Sequence, residues 1–233
     1  MPRRRPPPRS RPRARRTAAP RMRGRTVSEQ RWLRRQQTDP FVAAAAKEGY
    51  RSRSAYKLAA IDDRHDFLRR SRRIVDLGSA PGGWLQVAVA RAPTARIVAL
   101  DLQTVAPVGD AIILEGDAFA ADAAERLRSA LGGPADAVLS DMAPPATGHR
   151  STDQLRSLAL AEAAVDCAAA LLAPGGTLLV KLIRGQGEED LVRALGDTFA
   201  EVRREKPPAS RSDSSEMFLL ASGFRPSPDS AGG

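Results

Sequence analysis

Residues 75–84 have the composition of a turn that presents bare backbone to a ligand. They read Val-Asp-Leu-Gly-Ser-Ala-Pro-Gly-Gly-Trp and continue a short apolar run. Gly78, Gly82 and Gly83 lack a Cβ atom, so the backbone can adopt unusual φ/ψ values and a ligand can approach closely. A helical pattern of apolar residues follows Pro81. The stretch therefore predicts a strand, a tight loop and a helix whose N-terminus favours polar or anionic groups.

The spacing of these glycines argues against a dinucleotide as the ligand. It is Gly-x-x-x-Gly-Gly, which departs from the Gly-x-Gly-x-x-Gly pattern of dinucleotide-binding folds at the second glycine. An Asp-x-Gly-x-x-x-Gly sequence after a first strand instead resembles the loop of S-adenosylmethionine (SAM) methyltransferases, which wraps the methionine end of the cofactor. The alternative is an ordinary corner between a strand and a helix, where glycine serves close packing.

Single acidic residues follow other predicted strands. Asp101 follows an apolar run 25 residues after Asp76, where a carboxylate in an α/β nucleotide site accepts both ribose hydroxyls. Asp117 could accept a hydrogen bond from an adenine amino group, and Asp141 ends the fourth strand. Each one alone is most simply a helix cap or a turn residue. Because ligands bind where parallel strands end at one edge of a sheet, their joint occurrence favours a SAM site.

The elements that must position these residues alternate between strand and helix patterns. After the first strand, β-like runs occupy residues 96–100, 111–114, 135–140, 177–182, 199–204 and 216–222. Helical patterns occupy residues 41–48, 51–66, about 118–130, 151–172 and 188–196. This alternation predicts an α/β fold with a doubly wound, mostly parallel sheet, as in Rossmann-like methyltransferases. The loop before the last run has no helical pattern, which predicts an antiparallel last strand.

Positive charge is concentrated near the start of the chain. Residues 1–35 hold fourteen Arg against one Glu, a net of +13, so the total of +10 leaves about −3 for the rest. This Arg/Pro-rich segment lacks periodic apolar residues and is expected to be disordered. It is either a passive extension or a segment that attracts phosphate backbones by counterion release. We expect a methyltransferase domain at 36–224 and a second disordered tail at 225–233.

A second group of basic residues surrounds the helix predicted at 51–66. Its members are Arg51, Arg53, Lys57, Arg64, Arg69, Arg70, Arg72 and Arg73. Such a cluster is usually a solvated face. Because it lies beside the glycine-rich loop in a domain that is otherwise slightly acidic, we expect it to face a polyanion.

Other function classes find little support in the composition. No secretory hydrophobic region and no apolar run of about 18 residues occurs, which predicts a cytoplasmic protein without a membrane partner. Cys167 is the single cysteine and lies in an Ala/Leu helical pattern, so neither a disulfide nor the thiol nucleophile of C5 methylation is predicted. His65 and His149 have no accompanying cysteines, and we predict no metal site.

Several motifs occur in one order along the chain. They cover residues 51–58, 76–84, 140–144, 172–176, 180–181, 210–211 and 215–216. In this order they resemble the FtsJ-type (RlmE) ribosomal RNA ribose 2′-O-methyltransferases, and the resemblance runs from about residue 39 to 223. It implies an rRNA (uridine-2′-O-)-methyltransferase that uses SAM and modifies a uridine of large-subunit (23S) rRNA within the ribosomal particle.

The resemblance also implies roles for particular residues. It maps a catalytic set of two lysines and two acids onto Lys57, Asp141, Lys181 and Glu216. It maps the SAM contacts onto Gly82, Trp84, Asp101, Asp117 and Asp141. Two departures from the family, Pro145 and residues 183–187, lie near the acceptor side and leave the SAM residues untouched.

Methyl transfer to a ribose 2′-hydroxyl needs a group that accepts the proton of this weak acid and holds the hydroxyl oxygen in line with the methyl donor. A protonated lysine cannot accept that proton, whereas burial and a second cation nearby favour the neutral amine. We therefore assign Lys181 as orienting group and base, and Asp141 as its partner beside the methyl donor. Lys57 and Glu216 are assigned to tuning and to positioning the acceptor. Lys181 directly continues an apolar strand, which argues against a plain surface lysine.

The identity of the substrate stays open at this stage. Ribose chemistry is blind to the base, so another RNA such as a tRNA is the first alternative. A non-catalytic RNA-binding ribosome assembly factor is the second, and it predicts a damaged catalytic set or cofactor loop. Amino methylation of a base is disfavoured, because Ala146 follows Pro144-Pro145 where a stacking aromatic residue is needed. We expect the protein to act as a monomer.

Overall fold

The computed structural model describes residues 38–145, 147–211 and 214–226. The tail predicted at 1–35 lies outside the described residues, as does most of the tail predicted at 225–233. In chain order the described elements are α1 (Pro40–Glu48), α2 (Ala55–His65), β1 (Arg73–Leu77), α3 (Gly83–Arg91), β2 (Arg96–Asp101), β3 (Ile112–Glu115), α4 (Ala123–Leu131), β4 (Ala135–Ser140), α5 (Arg150–Leu171), β5 (Leu172–Ile183), α6 (Glu188–Thr198), β6 (Phe199–Glu205) and β7 (Glu216–Phe224).

The strands form one sheet in the order β3-β2-β1-β4-β5-β7-β6. The pairs from β3 to β5 are all parallel, whereas β7 runs antiparallel to both β5 and β6. The predicted doubly wound, mostly parallel sheet with an antiparallel last strand is therefore confirmed. Chain order reverses between β1 and β4, and ligands of open α/β sheets bind beside such a reversal.

Helices cover both faces of the sheet because β1 alternates between two apolar layers. Val75 and Leu77 pack in the layer that holds residues of α4, α5 and α6. Ile74 packs in the opposite layer with residues of α2 and α3. Successive side chains of a strand point to opposite faces, so Asp76 lies on the same face as Ile74. Because the helices cover the two faces, the loops are the elements that surround the strand ends at the carboxyl edge of the sheet.

Three predicted elements begin four or five residues away from the predicted start. The helix expected at 51–66 begins at Ala55, and the strand expected at 177–182 begins at Leu172. The helix expected at about 118–130 begins at Ala123, because Asp117 uses its carboxylate to accept the Phe119 amide at 2.9 Å in a turn. In the described part of the chain, no helix is both long and apolar enough to cross a bilayer.

Candidate active site

The loop after β1 lies close to the loop after β4 at the carboxyl edge of the sheet. Gly78 has φ +71°, and a Cβ atom there would lie 2.5 Å from Cγ and 3.0 Å from Cα of Met142. Backbone cannot yield as a flexible side chain can, so only glycine fits where this loop meets the loop after β4. Gly82 has φ +110° and caps the N-terminus of α3. Gly78 and Gly82 thus adopt conformations that favour glycine. Gly83, the third predicted position, has no positive φ, but a Cβ atom there would lie 2.2 Å from Ser52 Oγ.

Asp101 holds this loop in place from the end of β2. Its Oδ2 atom accepts the Ala80 amide at 2.8 Å and its Oδ1 atom accepts the Gln103 amide at 2.8 Å. Sequence reasoning expected a ligand contact only. The structure adds a structural role, because the same carboxylate connects the end of β2 to the glycine-rich loop.

A cavity of about 260 Å³ opens between the loops that follow β1, β2, β3 and β4. Asp101, Asp117 and Asp141, three of the predicted cofactor residues, line it together. Two apolar side chains that sequence reasoning missed also line it: Leu102 is 69% and Phe119 55% exposed. Each follows a strand-end aspartate by one or two positions, which is the signal that could have found them. Large apolar groups left open beside acids suit a ligand with both a polar and an apolar part.

Gly82 and Trp84 do not line the cavity in this structure. The Trp84 side chain belongs to the core: the residue is 2% exposed, its ring centroid lies 5.6 Å from that of Phe218, and its indole N–H donates to the Ser54 carbonyl at 2.9 Å. Any part that Trp84 plays toward the cofactor falls to its backbone at the start of α3.

The four predicted catalytic residues meet as two ion pairs. Lys181 Nζ lies 2.8 Å from Asp141 Oδ1 and also donates to the Asp141 carbonyl oxygen. Lys57 Nζ lies 2.6 Å from Glu216 Oε1 and 2.8 Å from Oε2. Both lysine side chains are more than nine-tenths buried. Buried ammonium groups need such partners, because leaving one of them unpaired costs about 3–5 kcal/mol.

Strand register places both pairs on one face of the sheet. Lys181 of β5 stands opposite Phe218 of β7, and Ile183 stands opposite Glu216. Side chains two apart on a strand share a face, so Lys181, Glu216 and Phe218 point toward the layer that contains α2. From that helix Lys57 reaches over, with Nζ 5.7 Å from the Phe218 ring centroid. Distant stretches of sequence therefore converge at the carboxyl end of β5.

Comparison with known families identifies this arrangement. Residues 50–224 match the model of the FtsJ-like methyltransferases. The chain belongs to the FtsJ-like methyltransferase family. It is accordingly a SAM-dependent methyltransferase, as the resemblance implied. A non-catalytic member would have a damaged catalytic set or cofactor loop, whereas the ion pairs and the loop described above are intact.

Curated relatives and a solved structure agree with the family. A protein of Gluconobacter oxydans named Ribosomal RNA large subunit methyltransferase E is 52% identical over 204 residues, 88% of this chain and 76% of that protein. A Rhizorhabdus wittichii protein of the same name is 49% identical over 209 residues, 90% of this chain and 91% of that protein. The crystal structure of a ribosomal RNA methyltransferase from Plasmodium falciparum has a TM-score of 0.68 at 28% identity, over 75% of this chain and 98% of that one.

The residues around the cavity fit the cofactor of an FtsJ-like methyltransferase. Asp76 is fully buried, and neither of its carboxylate oxygens has a hydrogen-bond partner among the described residues. Burial, and then the charges of Asp141 and Asp101, raise the pKa of Asp76 well above its ordinary value. A ligand that carries positive charge would offset this crowding of carboxylates. SAM has a sulfonium and an ammonium group, and its ribose diol suits a carboxylate such as Asp101.

Asp76→Asn should stabilise the ligand-free protein at neutral pH. Because the pKa of Asp76 is raised on folding, the folded chain binds its proton more tightly, and the free energy of unfolding falls as pH rises above the ordinary value of 3.8. Asparagine cannot ionise, so the variant does not lose this part of the free energy of unfolding. Its melting temperature should be higher by about 2–4 °C for each kcal/mol of unfolding free energy regained. Melting curves between about pH 5 and pH 8 measure the effect. Equal pH dependence in the variant and the wild type would contradict it, with the exposed Asp110→Asn as control.

Some members of the basic cluster around α2 bond to other parts of the methyltransferase domain. Arg51 donates to the carbonyls of Ala106 at 2.6 Å and Pro107 at 2.7 Å. Arg64 pairs with Glu205 at 2.8 Å, and other members pair with Glu216 and Asp66. Arg51 thus uses its guanidinium to hold the loop after β2, and the polyanion-facing surface stays a prediction.

Two further features are separate from the chemistry of this FtsJ-like methyltransferase. A larger cavity of about 770 Å³ lies at the opposite end of the sheet, and its Arg64 and Arg203 are paired with Glu205 and Glu201. Cys167 is buried in α5, where burial and the neighbouring Asp166 raise the pKa of its thiol to about 11. A thiol that keeps its proton is a poor nucleophile, in line with the rejection of C5 methylation.

Proposed function

We propose that this protein transfers the methyl group of SAM to a ribose 2′-hydroxyl of large-subunit rRNA, at a uridine within the ribosomal particle. The observation that carries the proposal is the position of Asp141. Its side chain lines the cofactor cavity and also binds the buried amine of Lys181 at 2.8 Å. One residue thereby connects the methyl-donor site to the candidate base. The names of the relatives support large-subunit rRNA as the substrate.

The two contacts between Lys181 and Asp141 suggest how the proton is taken. A neutral amine has two N–H donors and one lone pair. When both donors are directed at the carboxylate and the carbonyl of Asp141, the lone pair is left for a hydroxyl on the open side. SAM supplies an electrophilic methyl group on its sulfonium. Lys181 then orients the 2′-hydroxyl and accepts its proton as the oxygen attacks.

We assign Lys57 and Glu216 to the acceptor side of this site. Their ion pair lies on the same face of β5 and β7 as Lys181 and is held by α2. Gly82, the backbone of Trp84, Asp101, Asp117 and Asp141 are proposed to hold SAM. We further propose that the enzyme is a monomer and, because its proposed substrate is rRNA, that it acts in the cytoplasm.

Mapping of 2′-O-methylated nucleotides in RNA from cells with and without the protein tests the proposed function. We expect one uridine of the 23S rRNA to lose its methyl group in the deletion strain. Wild-type protein should restore the modification, and Lys181→Ala should not. Loss of a methyl group from a tRNA instead would favour the alternative substrate. An unchanged methylation pattern in every RNA would contradict the proposal.

Residues 1–35 are proposed to attract the RNA without directing the chemistry. Arg51 and Arg64 are used inside the domain, whereas this segment has a net charge of +13. Deleting it should raise the RNA dissociation constant at least about tenfold and flatten its salt dependence, because fewer counterions are released. Turnover at saturating RNA should change little.

Filter binding across a salt series measures that effect. A tail of the same length with every Arg replaced by Gln is the matched control, because it keeps the length and removes the charge. An unaltered salt slope in both variants would make the segment a passive extension, and a collapse of turnover at saturating RNA would mean that it positions the substrate.

A further inference from the structure

The carboxylate of Glu216 has a second partner besides Lys57. Ser210 Oγ donates to Glu216 Oε1 at 3.0 Å, and Ser210 is 8% exposed. Lys57 contacts both oxygens of the same carboxylate. The hydroxyl and the ammonium together hold Oε1 from two directions.

The segment that carries Ser210 is itself tied to the start of α2. Arg53 donates through its guanidinium to the Ala209 carbonyl, and the Ser210 amide donates to the Pro207 carbonyl at 2.8 Å. At the other end of the same connection, the Glu216 amide donates to Ser214 Oγ at 3.1 Å. These bonds give the hydroxyl a defined place relative to both Lys57 and Glu216.

We propose that Ser210 is a positioning residue for methyl transfer, which acts by fixing the Glu216 carboxylate against Lys57. This inference rests on the proposed function and deepens it. A carboxylate with a lysine as its one partner can rotate and follow that long, flexible side chain. A second donor on Oε1 fixes the carboxylate plane, and with it the ammonium that is assigned to the acceptor side. The positioning of reacting groups is sensitive to such small displacements.

Ser210→Ala should lower the single-turnover methylation rate about tenfold, the scale of a lost hydrogen bond to a charged group. Saturating SAM and large-subunit particles from a strain lacking the protein serve as substrates. The affinities for particles and for S-adenosylhomocysteine should stay unchanged, which separates positioning from binding. Ser210→Thr keeps the hydroxyl and should restore most of the rate.

Ser71→Ala is the matched control for the loss of a buried hydroxyl. Ser71 is also 8% exposed, and its hydroxyl donates to the Phe67 carbonyl at 2.9 Å, but it lines the cavity at the other end of the sheet from Lys57 and Glu216. We expect a similar change in melting temperature from both alanine variants and a loss of rate only from Ser210→Ala. A wild-type rate in Ser210→Ala, or an equal loss of rate in Ser71→Ala, would overturn the proposal.

Two double-mutant cycles show whether Ser210 acts through Glu216. In a Glu216→Gln background, Ser210→Ala should cost no further rate. The second cycle needs no substrate. It measures the coupling between Lys57 and Glu216 in thermal unfolding with Lys57→Met and Glu216→Gln, and this coupling should weaken in the Ser210→Ala background. An unchanged coupling refutes the inference even if the protein methylates rRNA. A weakened coupling in a protein that methylates no rRNA supports the contact and counts against the proposed function alone.

Discussion

Lys181→Ala is expected to slow methyl transfer by a factor of about 10²–10⁴, the usual contribution of a positioned general base. The Lys181 side chain is 8% exposed, and its amine lies 2.8 Å from Asp141 Oδ1, so no neighbouring group can easily replace it. SAM binding should persist, because the cavity between the loops is lined by other residues. Calorimetric titration of S-adenosylhomocysteine separates this outcome from a general loss of the site.

Lys181→Arg should fail almost as severely as the alanine variant. A guanidinium keeps its proton at any accessible pH and has no lone pair for the hydroxyl. Single-turnover methylation at saturating SAM and RNA measures the rates of the wild type and of both variants. If Lys181→Arg kept a rate near that of the wild type, base catalysis would be wrong and a purely orienting role would replace it.

Asp101→Ala is expected to weaken SAM binding about 10- to 100-fold, the scale of hydrogen bonds to a charged group. The structure gives two reasons for a loss. The carboxylate lines the cavity, and it also accepts the amides of Ala80 and Gln103 that hold the glycine-rich loop. Asp101→Asn retains an acceptor for one of these amides and should lose less.

Calorimetry with SAM measures this series. Asp110→Ala is the control, because it removes an exposed acid from the same connection between β2 and β3 without touching the cavity. A folded Asp101→Ala variant with unchanged SAM affinity would remove Asp101 from the cofactor site. The melting temperature should fall as well, since the loop loses its anchor.

Local pattern was sufficient for the strands and for the loop after β1. A buried parallel strand is a short apolar run, as at residues 74–75 and 97–100, and an acidic residue directly follows each of these two runs. The antiparallel β7 was also predictable, because a strand that follows another without a crossover helix cannot run parallel to it. Glycine at 78 and 82 is required by positive φ values, a constraint that is local to the backbone.

Side-chain direction and partner choice were decided only by the tertiary structure. The aromatic ring of Trp84 turns into the core toward Phe218, and Arg51 clamps backbone carbonyls of the loop after β2. A sequence shows which groups are polar, but their hydrogen-bond partners come from stretches that are far away along the chain. For the same reason the bond from Ser210 to Glu216 had no counterpart in the sequence pattern.

The sequence by itself determined the α/β class, the order of the elements and the residue types at the carboxyl edge of the sheet, because these follow from periodicity and backbone geometry over a few residues. The pairing of Lys181 with Asp141 was already expected at the sequence level. Only the tertiary structure decided that Lys57 pairs with Glu216, and that Asp76 is buried without a hydrogen-bond partner among the described residues. The pairing of Lys57 with Glu216 depends on the register of β5 against β7 and on the place where α2 crosses them. Register and packing are settled by the burial of whole faces, which is a property of the folded chain.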